Sequence, residues 1–163
     1  MRSFERAAAA DAEFVHQMFE EAKRVGRLNG TTVWDEYYPN REILNEDIER
    51  GELWALREDG KILAAIAMIS EEFEEEAGAH WSDVKACVLA RLCVDPRLQS
   101  RGIGAEVMRL ISEEAARQGY EATRLLASIH NPAALRLYRK LGYAELGPVH
   151  CYDHDYIAFE RLL

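Results

Sequence analysis

The chain has 163 residues, 48% of them hydrophobic and 30% charged, which is typical of one globular domain. Its formal net charge of −9 argues against nucleic acid as a partner, because a phosphate backbone needs a basic surface, and is compatible with a cationic substrate. The sequence contains no apolar run of about 18 residues, so no membrane span is expected. The first residues lack the apolar core of a secretory signal, so none is expected.

The first third of the chain predicts two helices. Asp11 can cap a helix that runs to about Val25, because apolar residues recur there at helical spacing. Gly26 and Gly30 are expected to end this helix, since glycine is the usual residue after a helix C-terminus. A shorter helix is expected from Arg41 to Arg50.

The next segments predict loops and a hairpin. Residues 31–40 lie between the two helices and are rich in aromatic side chains. Two apolar runs, Leu53 to Arg57 and Lys61 to Ser70, flank Asp59-Gly60, a pair typical of tight hairpin turns. An acidic loop from Glu71 to Glu76 follows.

The second half of the chain alternates strands and helices. Cys87 and Cys93 lie in an apolar strand, and Cys151 completes an odd set without Cys-x-x-Cys spacing. Buried thiols and a reducing cytoplasm are therefore expected. Strands outnumber long helices, so we predict an α/β (α+β) fold with a mixed, mostly antiparallel sheet and helices on both faces. The predicted elements are strand Lys85–Val94, helix Ala105–Gln118, strand Thr123–Ser128, helix Pro132–Leu141 and strand Tyr152–Leu162.

A glycine-containing turn joins the strand ending at Val94 to the helix from Ala105. Gly102 and Gly104 expose backbone N–H groups at the helix start, and Arg101 adds positive charge. Such an arrangement suits an anionic pyrophosphate. The turn does not fit the dinucleotide motif Gly-x-Gly-x-x-Gly, because position 107 is Val107. A tight strand-to-helix turn without a ligand is the alternative interpretation.

A second segment follows about 30 residues later. Asn131 can cap a short helix, and Pro132 suits its first position. Tyr138 lies in that helix, and Gly142 ends it. Taken alone, Tyr138 would be interpreted as a packing residue.

Together, and in this order, the two segments resemble the GNAT superfamily of acyl-CoA N-acyltransferases. Residues 99–104, Gln-Ser-Arg-Gly-Ile-Gly, match the family's Arg/Gln-x-x-Gly-x-Gly/Ala motif. Residues 131–143 match its Asn-x-x-Ala-x-x-x-Tyr-x-x-x-Gly-Phe/Tyr motif. The resemblance extends loosely over the order of elements along the whole chain, which is expected to be a single N-acetyltransferase domain of residues 1–163.

The resemblance implies an acetyl-CoA-dependent N-acetyltransferase. A substrate amine attacks the thioester directly in this family, and Tyr138 would be the general acid for the leaving thiolate. The strand of the glycine turn would splay from its neighbour and leave a wedge for the cofactor, held by the strand edge, the turn and the second helix. The implied cofactor-binding residues are Leu92, Cys93, Val94, Gln99, Ser100, Arg101, Gly102, Ile103, Gly104, Ala105, Asn131, Ala134 and Tyr138.

The general base is left open by the sequence. Some family members carry a glutamate in the strand before the turn, but the corresponding residue here is Val88. Glu71, Glu72, His80 and His130 are alternatives, and a water-mediated route without a dedicated residue is favoured. The missing glutamate also keeps a rival function open, a non-catalytic acyl-CoA-binding module.

The acceptor is expected to be an amine of a small molecule or a peptide. Aromatic residues and the acidic loop could form its pocket. By analogy, a homodimer would form through residues 144–163. Neither nucleic acid nor a membrane is an expected partner. No metal site is expected, although His150, Asp153, His154 and Asp155 cluster before the last strand.

Overall fold

The protein forms one seven-stranded sheet in the order β1-β2-β3-β4-β5-β7-β6. The computed structural model describes residues 1–32, 34–70 and 78–163. All neighbouring strands run antiparallel except β4 and β5, which are parallel. The strands are β1 (Arg2–Arg6), β2 (Leu53–Glu58), β3 (Lys61–Ile69), β4 (Ala86–Val94), β5 (Ala122–Ser128), β6 (Ala144–Cys151) and β7 (His154–Leu162).

Helices cover both faces of the sheet. Helices α1 (Ala12–Asn29) and α2 (Arg41–Glu49) pack on one face, where Phe19 and Leu44 are fully buried. Helices α3 (Ile103–Arg117) and α4 (Pro132–Lys140) pack on the other. The central strands are buried on both faces, which explains their nearly continuous apolar sequences. The predicted mixed α/β fold with helices on both faces is confirmed.

Strands β4 and β5 separate soon after they meet. Their pairing covers Ala86–Val88 against Ala122–Arg124 and extends no further among the described residues. Beside this point β4 bulges, because its pairing with β3 shifts register between Ala65 and Ala67. Arg91 lies in the bulge with φ 55°, a left-handed conformation that costs a non-glycine residue roughly 1–2 kcal/mol. The predicted splayed strand pair is therefore present.

Two helix boundaries differ from the sequence prediction. Helix α1 passes through Gly26 and ends in a Schellman motif, in which Gly30 has φ 66° and the Thr31 N–H donates to the Gly26 carbonyl. Gly26 instead allows Thr32 to pack closely against the helix, since a Cβ at position 26 would lie 2.7 Å from Thr32 Cγ2. Helix α3 begins two residues early, at Ile103, because Ile103 is buried in the core.

The C-terminal strand prediction was incomplete. The sequence predicts one strand from Tyr152, whereas the structure has a hairpin of β6 and β7. Tyr152 and Asp153 have positive φ and form the turn between these two strands. Strand β1 was not predicted either. Within the described ranges, no helix is long and apolar enough to cross a bilayer.

Candidate active site

A cavity of about 450 Å³ occupies the wedge between β4 and β5. Strands β4 and β5 form its floor, the C-terminal end of α1 forms one wall, and the start of α4 forms another. Seven of the sequence-predicted site residues line it: Leu92, Cys93, Val94, Gln99, Asn131, Ala134 and Tyr138.

Tyr138 lies at the cavity wall within the aromatic core. Its ring centroid is 5.8 Å from that of Tyr143 and 5.7 Å from that of Phe159, and the residue is 8% exposed. Burial raises the pKa of Tyr138 well above its usual range, with a smaller contribution from Tyr143. The phenol therefore keeps its proton at neutral pH, as a proton donor must.

The raised pKa of Tyr138 has a consequence for stability. Above about pH 10 the unfolded chain loses this proton while the folded protein keeps it, so the free energy of unfolding falls as pH rises. We expect Tyr138→Phe to show a shallower loss than wild type between about pH 10 and 11. Urea unfolding followed by circular dichroism measures both slopes. Equal slopes would contradict the raised pKa.

The glycine turn lies beside the cavity mouth. Ser100 and Gly102 have φ 63° and 75°, and α3 starts without a side-chain cap from the described residues. The first intrahelical hydrogen bond runs from the Glu106 N–H to the Gly102 carbonyl at 3.1 Å. The N–H groups of the three preceding residues, 103–105, thus precede the helical ladder and can bind an anion together with the helix dipole.

The other residues of the turn contribute through their backbone and their charge. Ser100, Arg101 and Gly102 are exposed, so their groups are accessible from solvent. Ile103 points its side chain into the core. A Cβ on Gly104 would lie 3.5 Å from Leu137 Cδ2, an ordinary contact distance.

The edge of β4 that faces the wedge has no strand partner between Leu89 and Val94 among the described residues. The Gln99 Nε2 donates to the Val94 carbonyl at 3.3 Å and fixes the turn against the strand end. An extended ligand could add to this edge as a strand does. On the opposite wall, Asn131 Oδ1 accepts from the Ala134 N–H at 3.1 Å and caps α4, which leaves its Nδ2 as the donor for a ligand.

Comparison with known proteins decides the family. A sequence model described as the acetyltransferase (GNAT) family matches residues 12–143. The chain belongs to the GNAT acetyltransferase family. No curated protein matches its sequence at a significant level.

Solved structures share this GNAT fold at low sequence identity. A GNAT acetyltransferase of Streptococcus agalactiae superposes with a TM-score of 0.86 at 21% identity, over 99% of this chain and 95% of that one. YncA of Salmonella typhimurium, solved with its cofactor acetyl-CoA, superposes with a TM-score of 0.73 at 15% identity, over 100% of this chain and 94% of that one. The ribosomal-protein-S18-alanine N-acetyltransferase of Escherichia coli superposes with a TM-score of 0.69 at 17% identity, over 99% of this chain and 94% of that one.

The base candidates of this GNAT protein lie away from the cavity or outside the described residues. Glu71 and Glu72 belong to the segment that the structure does not describe. His80 and His130 do not line the cavity, and Val88 is buried in the sheet. Among the described lining residues there is no Asp, Glu or His.

The aromatic residues of the predicted acceptor pocket are divided by the fold. Trp34 lines the cavity and stacks on Phe19, with ring centroids 5.2 Å apart. Tyr37 is 73% exposed. Trp81 does not line the cavity. The Arg124 guanidinium lies over the Trp81 ring instead, with Arg124 Cζ 5.3 Å from the ring centroid.

Two ionisable lining residues were not predicted from the sequence. Tyr156 of β7 reaches the cavity from the far side, and burial raises its pKa to about 12. Arg91 lines the cavity from the β4 bulge. Arg91 had a detectable signal, because it is the charged residue within the apolar strand Ala86–Val94.

The cluster near the last strand contains a hydrogen bond between two side chains. His150 Nδ1 and Asp155 Oδ1 are 2.8 Å apart on the paired strands β6 and β7. Within the described part of the chain, no group of three or more His, Cys, Asp or Glu side chains could hold a metal ion.

Proposed function

We propose that this GNAT protein transfers an acetyl group from acetyl-CoA to an amine of a small molecule or a peptide. The observation that carries the proposal is the cavity between β4 and β5, which has Tyr138 in its wall and an uncapped helix start beside its mouth. These features supply a proton donor and an anion-binding group around one space.

The residues of the wedge fit two parts of acetyl-CoA, the pyrophosphate and the pantetheine arm. The N–H groups of residues 103–105 and the charge of Arg101 would hold the pyrophosphate. The unpaired edge of β4 at Leu92–Val94 would bind the pantetheine arm. Asn131 and Ala134 would contact the arm from α4. Support comes from YncA, a structural neighbour that was solved with its cofactor acetyl-CoA.

Acetyl-CoA supplies the acetyl group as a thioester, whose carbonyl carbon an amine attacks while the C–S bond breaks. Tyr138 keeps a phenolic proton at neutral pH and can donate it to the departing sulfur. A buried proton donor also limits the access of competing water from that side of the cavity.

The attacking amine must be neutral, so its ammonium form first releases a proton. The described lining holds no carboxylate or imidazole, which supports a water-mediated route for this proton over a dedicated base. The net charge of −9 favours the approach of a cationic amine. Trp34 offers an aromatic face to that amine.

Cys93 lines the cavity, and a covalent acyl-cysteine route is the alternative to direct attack. Burial raises the pKa of the Cys93 thiol far above its usual range, and its Sγ lies 3.9 Å from the Met18 carbonyl oxygen. A thiol that stays protonated is a weak nucleophile. Direct attack by the amine is therefore favoured.

This conclusion predicts that Cys93→Ala keeps kcat within about threefold of wild type, because no bond forms to sulfur. Steady-state release of CoA with a saturating amine measures the effect. The folded state of the variant is checked by circular dichroism. A loss of about a thousandfold in a folded variant would assign Cys93 a covalent role.

The function is tested by two measurements on the wild-type protein. Calorimetric titration with acetyl-CoA reports binding, and CoA release in a screen of polyamines, amino acids and peptides reports turnover. Binding with amine-dependent turnover supports the enzyme. Binding without turnover for any amine would favour the acyl-CoA-binding module, and a folded protein without binding would exclude both.

A homodimer is proposed at one edge of the sheet. Strand β6 is the last strand in the sheet order. A homodimer through the β6–β7 hairpin stays a prediction, and sedimentation velocity of the purified protein would measure its mass.

A further inference from the structure

Arg91 joins three elements beside the cavity. Its Nε and Nη2 donate to the two carboxylate oxygens of Asp47 at 2.8 and 2.7 Å, and its Nη1 donates to the Tyr38 hydroxyl at 3.0 Å. Asp47 belongs to α2, and Tyr38 belongs to the aromatic segment between α1 and α2. The guanidinium thus links the bulge of β4 to both.

The linkage fixes a strained backbone at the point where the wedge opens. Arg91 has φ 55°, and a non-glycine residue keeps such a conformation only when its surroundings determine it. The last β4 residue paired with β5 is Val88, three positions earlier. The side-chain bonds of Arg91 therefore hold the bulge against α2 and the aromatic segment.

Stability alone does not explain this ion pair. The side chain of Arg91 is 10% exposed and that of Asp47 is 7% exposed, so both charges are largely desolvated. Apolar residues of similar volume often stabilise a core as much as a buried ion pair does. A bidentate pair differs from apolar packing in its fixed geometry.

Arg91 lies away from the phosphate end of the wedge. Val94, where β4 meets the glycine turn, is three residues further along the strand, roughly 10 Å at the usual rise. Trp34 and Tyr156, the aromatic residues of the remaining wall, share the cavity with Arg91. This end is where an amine would enter once a cofactor occupies the rest.

We propose that Arg91, held by Asp47 and Tyr38, positions the amine acceptor by fixing the β4 bulge against the aromatic segment. The inference rests on the proposed function. It assigns the three residues a positioning role, since no described bond joins them to the phosphate-binding turn. The network should govern acceptor binding and turnover, and leave acetyl-CoA affinity unchanged.

Asp47→Asn tests the proposal, because it keeps the side-chain volume and removes the charge that orients Arg91. We expect the KM for the amine to rise about tenfold or more and kcat to fall, as for any misplaced reactant. The dissociation constant of acetyl-CoA should stay within about twofold. Tyr38→Phe removes one hydrogen bond of an exposed residue and should give a smaller shift in the same direction.

Glu160→Gln is the matched control. Glu160 and Arg124 form a second buried pair, 5% and 7% exposed, with a 2.8 Å contact between Arg124 Nε and Glu160 Oε2. Neither residue lines the cavity. The control should lose a similar free energy of unfolding while the amine KM stays within about twofold. Equal amine KM values in the two variants would overturn the proposal.

A second readout does not depend on activity. The Tyr37 and Tyr38 N–H groups donate to Asp35 Oδ1 at 2.8 and 2.9 Å, within the segment that Arg91 holds. Their hydrogen exchange should quicken about tenfold in Asp47→Asn and stay unchanged in Glu160→Gln. Unchanged exchange in both would overturn the proposal even if wild type showed no turnover. A wild type without turnover, but with this exchange pattern, would refute only the proposed function.

Discussion

Replacing Tyr138 by Phe is expected to lower kcat by about a hundredfold or more while the dissociation constant of acetyl-CoA changes by less than about twofold. The phenol lies in the cavity wall and keeps its proton at neutral pH, so it can act as the donor. Its ring packs against Tyr143 and Phe159, and Phe keeps this packing. The change therefore removes a proton donor and little else.

Tyr143→Phe is the control for this experiment. Tyr143 belongs to the same aromatic cluster, is also buried, and its hydroxyl lies 2.7 Å from Thr123 Oγ1, but it does not line the cavity. Its loss should reduce stability by about 1 kcal/mol and leave kcat nearly unchanged. Both variants are compared by CoA release and by calorimetry. A Tyr138→Phe enzyme as fast as wild type would remove Tyr138 from its role.

Gly102→Glu should abolish measurable acetyl-CoA binding, a loss of at least about a hundredfold. A carboxylate beside the N–H groups of residues 103–105 repels the pyrophosphate, and like charges in contact cost several kcal/mol, where each 1.4 kcal/mol is about tenfold in affinity. A Cβ at Gly102 would meet no atom within 4 Å, so apart from the backbone cost of its positive φ we expect the effect to be electrostatic.

Gly60→Glu controls for the backbone cost of that change. Gly60 has φ 82°, close to the 75° of Gly102, and a Cβ there is equally free of contacts. It lies in the β2–β3 turn, away from the cavity. Both variants should lose similar stability, while only Gly102→Glu loses binding. Binding that survived in a folded Gly102→Glu protein would move the pyrophosphate away from this turn.

The central sheet and its helices could be predicted because burial imposes patterns on them. Strands β2 to β5 are mostly apolar and buried. The hairpin at Asp59-Gly60 needs two positive φ values, which this pair adopts readily. The glycine turn could also be predicted from the sequence, because the start of the helix needs a positive φ and Gly102 adopts φ 75° there.

The edge strands carried no such pattern. Strand β1, Arg-Ser-Phe-Glu-Arg, buries almost nothing and is held by backbone pairing with β2. Strand β6 contains Gly147 and Pro148, which ordinarily argue against a strand and are tolerated at an edge. Backbone pairing of exposed residues depends on the neighbouring strand, which the local sequence does not specify.

The candidate site could likewise be predicted only in part from the sequence. Residues of the glycine turn and Tyr138 lie in contiguous motifs, so their spacing could be interpreted directly. The contact between Arg91 and Asp47 spans 44 positions and that with Tyr38 spans 53. A charge inside an apolar strand indicated that Arg91 needed a partner, but the partner is determined only by how α2 packs on the sheet.

The proposed ligand site lies where the described sheet has its fewest paired residues, since only three residue pairs join β4 to β5. A ligand in the wedge contacts both halves of the molecule, and at a hundred times its dissociation constant it adds about 2.7 kcal/mol to the free energy of unfolding. Substitutions that extended the pairing past Val88 would make the sheet more continuous and would fill the cavity. Apo-state stability and ligand capacity therefore oppose each other in this protein.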